Sequence, residues 1–335
     1  KVFSLNLFLL SFLSSFSFAF EILALFLAYF FKQNKIFFLL LLILCARALS
    51  LVASEYQAHL FISIFLPFSF VLFVFLQDSK LVFEKINLVK IAYIAFMILL
   101  AFLLSTNTNF NANIASEIFN FPSYFFKPIS ELSFCVFWVG FLFLLFSYLK
   151  NNDFHFLLAY MGLSVQFLFY NNIDLGYYEF ASLVFIVFLA YKAYKIAFFD
   201  TLTNLPNLKA LRRYSQGLEN FHLAVIELKN LNEIYHQNGI FAQEYILHSF
   251  AKILKKALHA RIFKDDKDYF IIVFENENVA FIQSKLQMLE NFMQKYDFEF
   301  KEQRAKLEIK LCLSNENDNI ENSIKQAKLE LKKQK

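Results

Sequence analysis

The stretch that decides how this chain folds is Asp200–Asn207, with the sequence DTLTNLPN, which directly follows the apolar pair Phe198-Phe199. Before this stretch the sequence is rich in phenylalanine and poor in charge, and after it lysine, glutamate and aspartate recur throughout. The chain is 58% hydrophobic, whereas soluble domains are usually about 45–50% apolar. This change in composition predicts a transmembrane region over residues 1–198 and a soluble domain over residues 199–335.

Seven apolar stretches precede the junction, and each is close to the roughly 17–25 residues that a helix needs to cross a bilayer. We predict membrane helices over residues 7–31, 36–54, 57–76, 88–105, 132–149, 154–171 and 178–196. The first part of the chain is therefore predicted to be an all-α transmembrane bundle of about seven helices.

Basic residues lie in alternate connections between the predicted spans, and such residues mark the cytoplasmic side of a membrane. Lysines follow the first and fifth spans, lie in the last residues of the seventh, and separate the third span from the fourth. The pattern predicts a multi-pass protein of the inner (cytoplasmic) membrane with a cytoplasmic C-terminal domain. We attribute the net charge of +4 to these inward-facing lysines, so no nucleic-acid partner is inferred.

Glu21 and Arg47 are charged residues that fall deep within predicted spans. An ionisable group at that depth is unfavourable, by about 2.5–3.5 kcal/mol on insertion scales, and marks a functional site by default. The structural alternative is a snorkelling side chain or a pair between two helices. Cys45, Cys135 and Cys312 have neither ligand nor disulfide spacing, and we interpret them as structural thiols.

The soluble half alternates strand and helix patterns. Thr203 is expected to cap its first helix, with Pro206 in the first turn. Strands are predicted over residues 223–228, 262–264, 269–274, 298–302 and 307–313, and helices over 206–218, 230–237, 241–258, 277–296 and 318–333. The helix over 241–258 is expected to bury Phe241, Tyr245, Ile246, Phe250, Ile253 and Leu254. These elements predict an α/β domain with one central, mostly antiparallel sheet flanked by helices.

The octapeptide resembles the entry motif Asp-x-Leu-Thr-Gly-Leu-Pro-Asn-Arg of GGDEF domains, the diguanylate cyclase family. Downstream, Ile262–Phe274 aligns without a gap with that family's Ile-Phe-Arg-Ile-Gly-Gly-Asp-Glu-Phe and the apolar strand after it. The resemblance covers the soluble domain from Asp200 to about Lys333 and implies a bacterial GGDEF-like fold. The signature pentapeptide is replaced by Asp266, Lys267, Asp268, Tyr269 and Phe270.

Members of this family condense two GTP molecules into cyclic di-GMP with Mg²⁺, and the resemblance places their site on residues of this chain. Glu227 stands at the first metal-binding aspartate. Asp268 stands at the metal-binding and catalytic carboxylate of the signature, so it is a vestigial catalytic residue, and the two acids are the candidate metal ligands. The vestigial nucleotide site, where the family reads guanine and binds phosphate, comprises Tyr235, Glu244, Lys264 and Lys328.

Both signature glycines are replaced, by Asp266 and Lys267. Glycine lets backbone N–H groups approach phosphates closely, so both side chains are expected to obstruct a nucleotide. Tight hairpins prefer glycine where φ is positive, so the turn itself is expected to be less favourable. Other family positions also differ: the guanine-reading Asn is Tyr235, the phosphate-binding Lys is Asn232, the second Asp of the Asp-x-Asp run is Lys229, and the inhibitory Arg-x-x-Asp is Ala257–Ala260.

The leading interpretation is a membrane-anchored signalling or adaptor protein of cyclic di-GMP signal transduction, a pseudoenzyme whose output domain acts through protein contacts. It needs no cofactor, and it implies a protein partner and a homodimer. A second interpretation is a divergent cyclase or nucleotide-hydrolysing enzyme that uses GTP and Mg²⁺ through Glu227 and Asp268. A third is a membrane structural or docking component. Nucleotide titration separates the first two, and partner capture separates the first from the third.

Overall fold

The computed structural model describes residues 2–52, 61–77, 84–105, 131–169, 179–218, 221–266, 268–301, 303–314 and 320–333. Contacts between residues divide the chain into two compact units, residues 1–192 and residues 193–335. The first unit has one hydrophobic core, and the second has two.

The first unit is helical in the part of the chain that the structure describes. Its elements are α1 (Val2–Phe30), α2 (Asn34–Val52), a π-helical turn (Phe61–Phe65) that leads into α3 (Leu66–Phe75), α4 (Lys85–Ser105), α5 (Glu131–Asn151), α6 (Phe154–Phe169) and most of α7 (Ala181–Phe198). A helix therefore lies at each of the seven predicted spans.

Fewer of these helices meet the length and composition of a membrane span than the sequence predicts. Among the described residues, three helical segments are long and apolar enough to cross a membrane, namely Asn34–Val52, Leu132–Asn151 and Ala181–Phe198. The other apolar segments, Ser15–Phe30, Phe61–Phe75, Asn87–Leu100 and Phe154–Ser164, are shorter. The count of seven spans stays a prediction. Residues 106–130, between the fourth and fifth predicted spans, lie outside the described residues.

Aromatic side chains fill the core of the first unit. The Phe70 ring lies 5.6 Å from that of Tyr160 and 6.4 Å from that of Phe185. The Tyr160 hydroxyl donates to the Phe137 carbonyl oxygen at 3.2 Å, so its polar end is satisfied inside the core. Tyr160 packs against the backbone of Gly140, where a Cβ atom would lie 2.3 Å from the Tyr160 oxygen. These rings thus pack the interior of the first unit.

The second unit is an α/β domain. Its elements after α7 are α8 (Leu208–Ser215), β1 (Phe221–Leu228), α9 (Leu231–Asn238), α10 (Ile240–Leu258), β2 (Arg261–Asp265), β3 (Tyr269–Glu275), α11 (Val279–Lys295), β4 (Asp297–Phe300), β5 (Gln303–Lys306), β6 (Ile309–Ser314) and α12 (Ile320–Lys333). The strands β2-β3-β1-β6 form, in that order, a four-stranded sheet in which every pairing is antiparallel. The predicted antiparallel sheet flanked by helices is confirmed.

The prediction of a single sheet is wrong, because β4 and β5 pair with each other in a separate two-stranded sheet. Lys301 has a φ of 45°, and the chain reverses there after Phe300. The sequence analysis missed β5 because its residues are polar or charged apart from Ala305 and show no apolar alternation. Strand β4 ends at Phe300, before its predicted end at residue 302, which lies outside the described residues.

Strand β1 explains how the second unit holds two cores. Ala224 and Ile226 face one side of the sheet, where α10 and α11 cover them. Leu223 and Val225 face the other side, where α8 and α12 cover them. The continuous apolar run in β1 is therefore typical of a strand buried on both faces.

The predicted start of the domain's first helix is wrong. Helix α8 begins at Leu208, and the Asn207 side chain caps it by accepting hydrogen bonds from the N–H groups of Lys209 and Ala210 at 3.0 and 3.2 Å. Pro206 pairs with Phe199 in an isolated bridge. Thr203 does not cap the helix because its hydroxyl donates to Asp200.

The predicted buried face of α10 is partly correct. Its Ile246, Phe250 and Leu254 lie in the core, whereas Phe241 is 70% exposed and Tyr245 is also exposed. The stripe that faces the core is centred on Ala242, Ile246, Phe250 and Leu254, and the two exposed aromatic residues each precede a member of that stripe. A shift of one residue rotates a side chain by about 100° around the helix, which places these rings beside the stripe.

Candidate functional site

The octapeptide after α7 forms a turn that is held by its own side chains. The Asp200 Oδ2 atom accepts hydrogen bonds from the N–H and the hydroxyl of Thr203, at 2.8 and 2.7 Å. Asn204, which stands at the family's glycine, has a φ of 52°, a conformation that asparagine tolerates better than most residues. The Lys264 N–H donates to the Pro206 carbonyl oxygen at 2.7 Å. The motif therefore lies against β2, next to the signature turn.

The turn between β2 and β3 contains a residue in the left-handed region of backbone space. Asp266 has a φ of 34° and a side chain that is 78% exposed. This positive φ fits the expectation that the turn prefers glycine, and aspartate is among the residues that tolerate it. Lys267, the second replaced glycine, lies outside the described residues.

Lys264 is buried and is bound by the backbone of this turn. Its ammonium group donates to the carbonyl oxygens of Asp265 at 3.3 Å, of Tyr269 at 3.2 Å and of Asp266. The same ammonium lies 4.4 Å from the centre of the Phe270 ring. Burial lowers the pKa of Lys264 to about 8, against the opposite effect of nearby carboxylates. The carbonyl groups of the turn thus converge on a cation that the chain itself supplies.

Lys328, on α12, is also engaged by the chain. Its Nζ atom lies 2.7 Å from the Oδ2 atom of Asp265 and 3.5 Å from that of Asp266. The ammonium group also lies 4.4 Å from the centre of the Tyr269 ring. Two side-chain carboxylates therefore surround a lysine that, by the resemblance, stands at a phosphate-binding position.

The two candidate metal ligands lie on neighbouring strand ends. Glu227 is opposite Tyr269 in the register of β1 and β3, and the Leu228 N–H donates to the Asp268 carbonyl oxygen at 2.9 Å. The Tyr269 hydroxyl donates to Glu227 Oε1 at 2.8 Å, and Lys229 Nζ lies 2.9 Å from Glu227 Oε2. Both carboxylate oxygens of Glu227 therefore have partners.

The electrostatics around Glu227 follow from these partners. Burial acts to raise the pKa of Glu227, but the hydrogen bonds from Lys229 and Tyr269 outweigh it, so the pKa lies below its usual value. Burial and the Glu227 carboxylate raise the pKa of Tyr269 to about 12. The Lys229 ammonium thus lies against the Glu227 carboxylate, so Glu227 as it is paired here does not fit a divalent cation. Among the described residues, no group of three or more His, Cys, Asp or Glu side chains is placed to hold a metal ion.

The two guanine-site residues do not line a common cavity in the described part of the chain. Glu244 lines a cavity of about 520 Å³ together with Leu202 and Phe300. A second cavity, of about 550 Å³, lies beside the signature turn, where its lining includes Lys264, Asp265 and Arg212. Tyr235 lines neither cavity; it is exposed on α9, with its ring 5.4 Å from that of His236.

A larger cavity, of about 660 Å³, lies away from the turn, beside the end of α7. Its walls include Tyr194, Phe198, Arg213, Tyr214 and Arg261. None of the candidate site residues lines it, so its size alone does not connect it with the signature.

Sequence reasoning missed the internal partners at this site. Lys229 was noted only as a lost aspartate, and Asp265 was not singled out at all. For Lys229 a signal was available, because a base two residues after an acid at a strand end is placed to pair with it. For Asp265 there was none, since its partner comes from the distant helix α12.

No family model matches the chain, and no curated relative matches it. Among solved structures, the GGDEF domain of FimX from Pseudomonas aeruginosa is 15% identical, with 39% of this chain and 88% of that chain covered and a TM-score of 0.36. The coiled coil and GGDEF domain of DgcB from Caulobacter crescentus, in complex with c-di-GMP, is 13% identical, with 44% and 86% covered and a TM-score of 0.41. A sensory box/GGDEF family protein from Caulobacter crescentus is 20% identical, with 41% and 99% covered and a TM-score of 0.35.

Proposed function

We propose that the protein is a membrane-anchored signalling or adaptor protein whose GGDEF-like domain is catalytically silent and acts through protein contacts. The entry motif at Asp200–Asn207, the antiparallel sheet and the β2–β3 hairpin at the signature support a GGDEF-like domain. Three apolar helices long enough to cross a bilayer support the membrane anchor. The lysine pattern favours seven spans, an inner-membrane location and a cytoplasmic C-terminal domain.

One observation carries the proposal of a silent site: three charged side chains at the ligand positions, Glu227, Lys264 and Lys328, are already paired within the chain. Lys229 and Tyr269 bind Glu227, Asp265 binds Lys328, and turn carbonyls bind Lys264. A nucleotide and its cation would have to displace these partners. Displacing a buried partner leaves polar groups unsatisfied, at about 1–3 kcal/mol for each group.

The direct test measures cyclic di-GMP formation from GTP and Mg²⁺ by the solubilised full-length protein, together with calorimetry of GTP binding. We expect neither product nor binding heat. Glycine at both 266 and 267 is not expected to restore activity, because the guanine and phosphate positions also differ. Product that disappears in Asp268→Ala would contradict the proposal, since it would show that the signature carboxylate still works.

A second candidate function, nucleotide and Mg²⁺ binding, is favoured by the position of Glu227 and Asp268 on adjacent strand ends. If Mg²⁺ bound there, it would stabilise the protein by about 2.7 kcal/mol at a hundredfold excess over Kd. We expect no Mg²⁺-dependent shift in thermal stability for the native chain. We expect a shift in Lys229→Asp, which frees Glu227, and its loss when Asp268→Asn is added. Lys301→Asp, at an exposed turn, is the matched control.

The protein partner and the homodimer are part of the proposal, because a catalytically silent output domain would act through protein contacts. Crosslinking in membranes, followed by identification of the linked chains, tests both. Crosslinks that form only in the first unit would favour the structural or docking interpretation over the signalling one. Crosslinks that join the second unit to another chain would support an output through protein contacts. A variant without residues 199–335 is the control that identifies which crosslinks belong to the second unit.

A further inference from the structure

A polar cluster lies buried inside the helical first unit. Ser17 and Glu21 come from α1, Arg47 from α2, and Glu179 and Ser182 from the start of α7. All five are buried in the structure. The sequence singled out Glu21 and Arg47 as unusual charges, whereas Glu179 lies at the edge of the seventh predicted span, 178–196.

Glu21 and Arg47 form an ion pair between α1 and α2, the structural alternative that the sequence left open. The Arg47 Nε atom donates to Glu21 Oε2 at 2.8 Å, and Nη2 donates to Glu21 Oε1 at 2.7 Å. The Nη2 atom also donates to Ser17 Oγ at 2.8 Å. The charge of Glu21 is therefore balanced by one guanidinium group.

Glu179 is a second buried carboxylate without a basic partner among the described residues. Its two carboxylate oxygens accept hydrogen bonds from the Ser182 N–H at 3.2 and 3.0 Å, so it caps the start of α7. Its backbone N–H donates to Ser17 Oγ at 3.1 Å. The Ser182 side chain beside it is also buried. The like charge of the Glu21 carboxylate acts on Glu179.

The cluster therefore holds two carboxylates and one guanidinium. With both acids ionised it carries an uncompensated negative charge inside an apolar bundle, which is unfavourable. A metal cation does not suit the site, because both Glu21 oxygens and Ser17 are engaged by Arg47, and hard cations require six or more oxygen ligands. A proton requires only one oxygen, and it makes the cluster neutral.

We propose that Glu179 is a proton-binding site of the helical unit. Its neighbours from each packed element are Glu21 of α1, Arg47 of α2 and Ser182 of α7, and the carbonyl oxygen of Gly162 in α6 accepts from the adjacent Phe180 N–H at 3.4 Å. Binding of a proton weakens the bond from the Ser182 N–H, because hydrogen bonds to charged acceptors are about twice as strong as neutral ones. The proton thus acts on the cap of α7. This inference does not depend on what the second unit binds.

The test is an infrared difference spectrum of the full-length protein in lipid vesicles between about pH 5.5 and pH 8.5, where exposed Asp and Glu side chains are ionised throughout. We expect a band of one protonated carboxyl group per chain, which shifts in heavy water and is absent in Glu179→Gln. Asp153→Asn, which removes a partly exposed acid of the same unit, is the matched control and should keep the band.

Glu21→Gln keeps the proposal testable if Glu179→Gln does not fold. Because it removes a like charge and frees Arg47, it should move the carboxyl transition to lower pH or abolish the band. A native protein with no band in this pH range would overturn the proposal. A band that persists in Glu179→Gln, or that moves to higher pH in Glu21→Gln, would overturn it as well.

Discussion

The buried ion pair of the helical unit and the pair between α12 and the signature turn are alike in length but not in surroundings. Arg47 and Glu21 meet at 2.7 Å with side chains that are 9% and 0% exposed. Lys328 and Asp265 also meet at 2.7 Å, but the lysine is 23% exposed. Water screens an exposed ion pair more strongly than a buried one. The same distance between the charges therefore corresponds to a different interaction energy in each pair.

The two regions also differ in what the pairing does. In the helical unit, Glu21 is fully buried, and the Arg47 guanidinium supplies its counter-charge. Around the signature turn, the side chains are closer to solvent, and under the proposed function the lysines and carboxylates take the positions of a metal ion and phosphates. The first pairing is therefore expected to matter for stability, and the second for the loss of ligand binding.

The largest effect is expected from Arg47→Met. The substitution leaves Glu21 buried without a counter-charge. It should lower the free energy of unfolding by about 3–5 kcal/mol. The measurement is unfolding of the full-length protein in mixed micelles with increasing denaturing detergent. Arg47→Lys keeps the positive charge but loses the pair of hydrogen bonds to the two Glu21 oxygens. It should be destabilised less than Arg47→Met. A loss below about 1 kcal/mol for Arg47→Met would mean that water reaches the cluster.

Lys328→Met should have an intermediate effect. The substitution removes the partner of the buried Asp265 carboxylate. It should lower the free energy of unfolding by about 1–3 kcal/mol. Urea unfolding of a fragment with residues 193–335, the compact second unit, measures it. Arg304→Ala is the control, because its pair with Glu299 at 2.9 Å is exposed on both sides and should change stability by less than about 0.5 kcal/mol. Equal effects of the two variants would contradict the role of burial.

A smaller effect is expected from the titration of Lys264, whose pKa burial lowers to about 8 from an ordinary 10.5. Between these values the unfolded chain binds more protons than the folded one, so stability rises with pH, by roughly 1 kcal/mol from pH 8 to pH 9. The measurement is the difference in urea unfolding between the native fragment and Lys264→Met at each pH.

Another group in the fragment acts in the opposite direction. Burial and Glu330 raise the pKa of the Cys312 thiol to about 12, so above pH 9 the unfolded thiol ionises first and stability falls. Because Cys312 is present in both proteins, it cancels in the difference. A difference that stays constant from pH 7 to pH 10 would show that Lys264 is not desolvated.

The smallest effect is expected from Asp266→Gly. Relief of the positive φ favours the folded turn, while the added freedom of glycine favours the unfolded chain, so the change should stay within about 0.5 kcal/mol. Asp266→Val should destabilise the fragment by about 1–2 kcal/mol, because a β-branched residue is strained in that region. The measurement is the urea concentration at the midpoint of unfolding, compared between each variant and the native fragment. A large loss in Asp266→Gly would mean that its exposed carboxylate matters more than the backbone.

Much of the fold could be predicted from local sequence. A helix lies at each predicted span, and β1, β2, β3 and α10 lie within two residues of their predicted positions, because apolar periodicity of 3.6 or 2 is a local property. Local polarity misled the prediction at Gln303–Lys306, where strand pairing with β4 overrides a charged sequence. It also misled the prediction at Thr203, whose hydroxyl binds Asp200 rather than the helix that follows.

The sequence by itself determined the two-part organisation, the positions of the unusual charges Glu21 and Arg47, and the replacement of the signature glycines. Only the tertiary structure decided which charges meet. Glu179, at the edge of the seventh predicted span, is buried beside Ser17, and Lys328 reaches Asp265 from the last helix. The physical reason is that secondary structure follows from neighbours along the chain, whereas an ion pair between distant residues depends on how whole elements pack and on how much water that packing excludes.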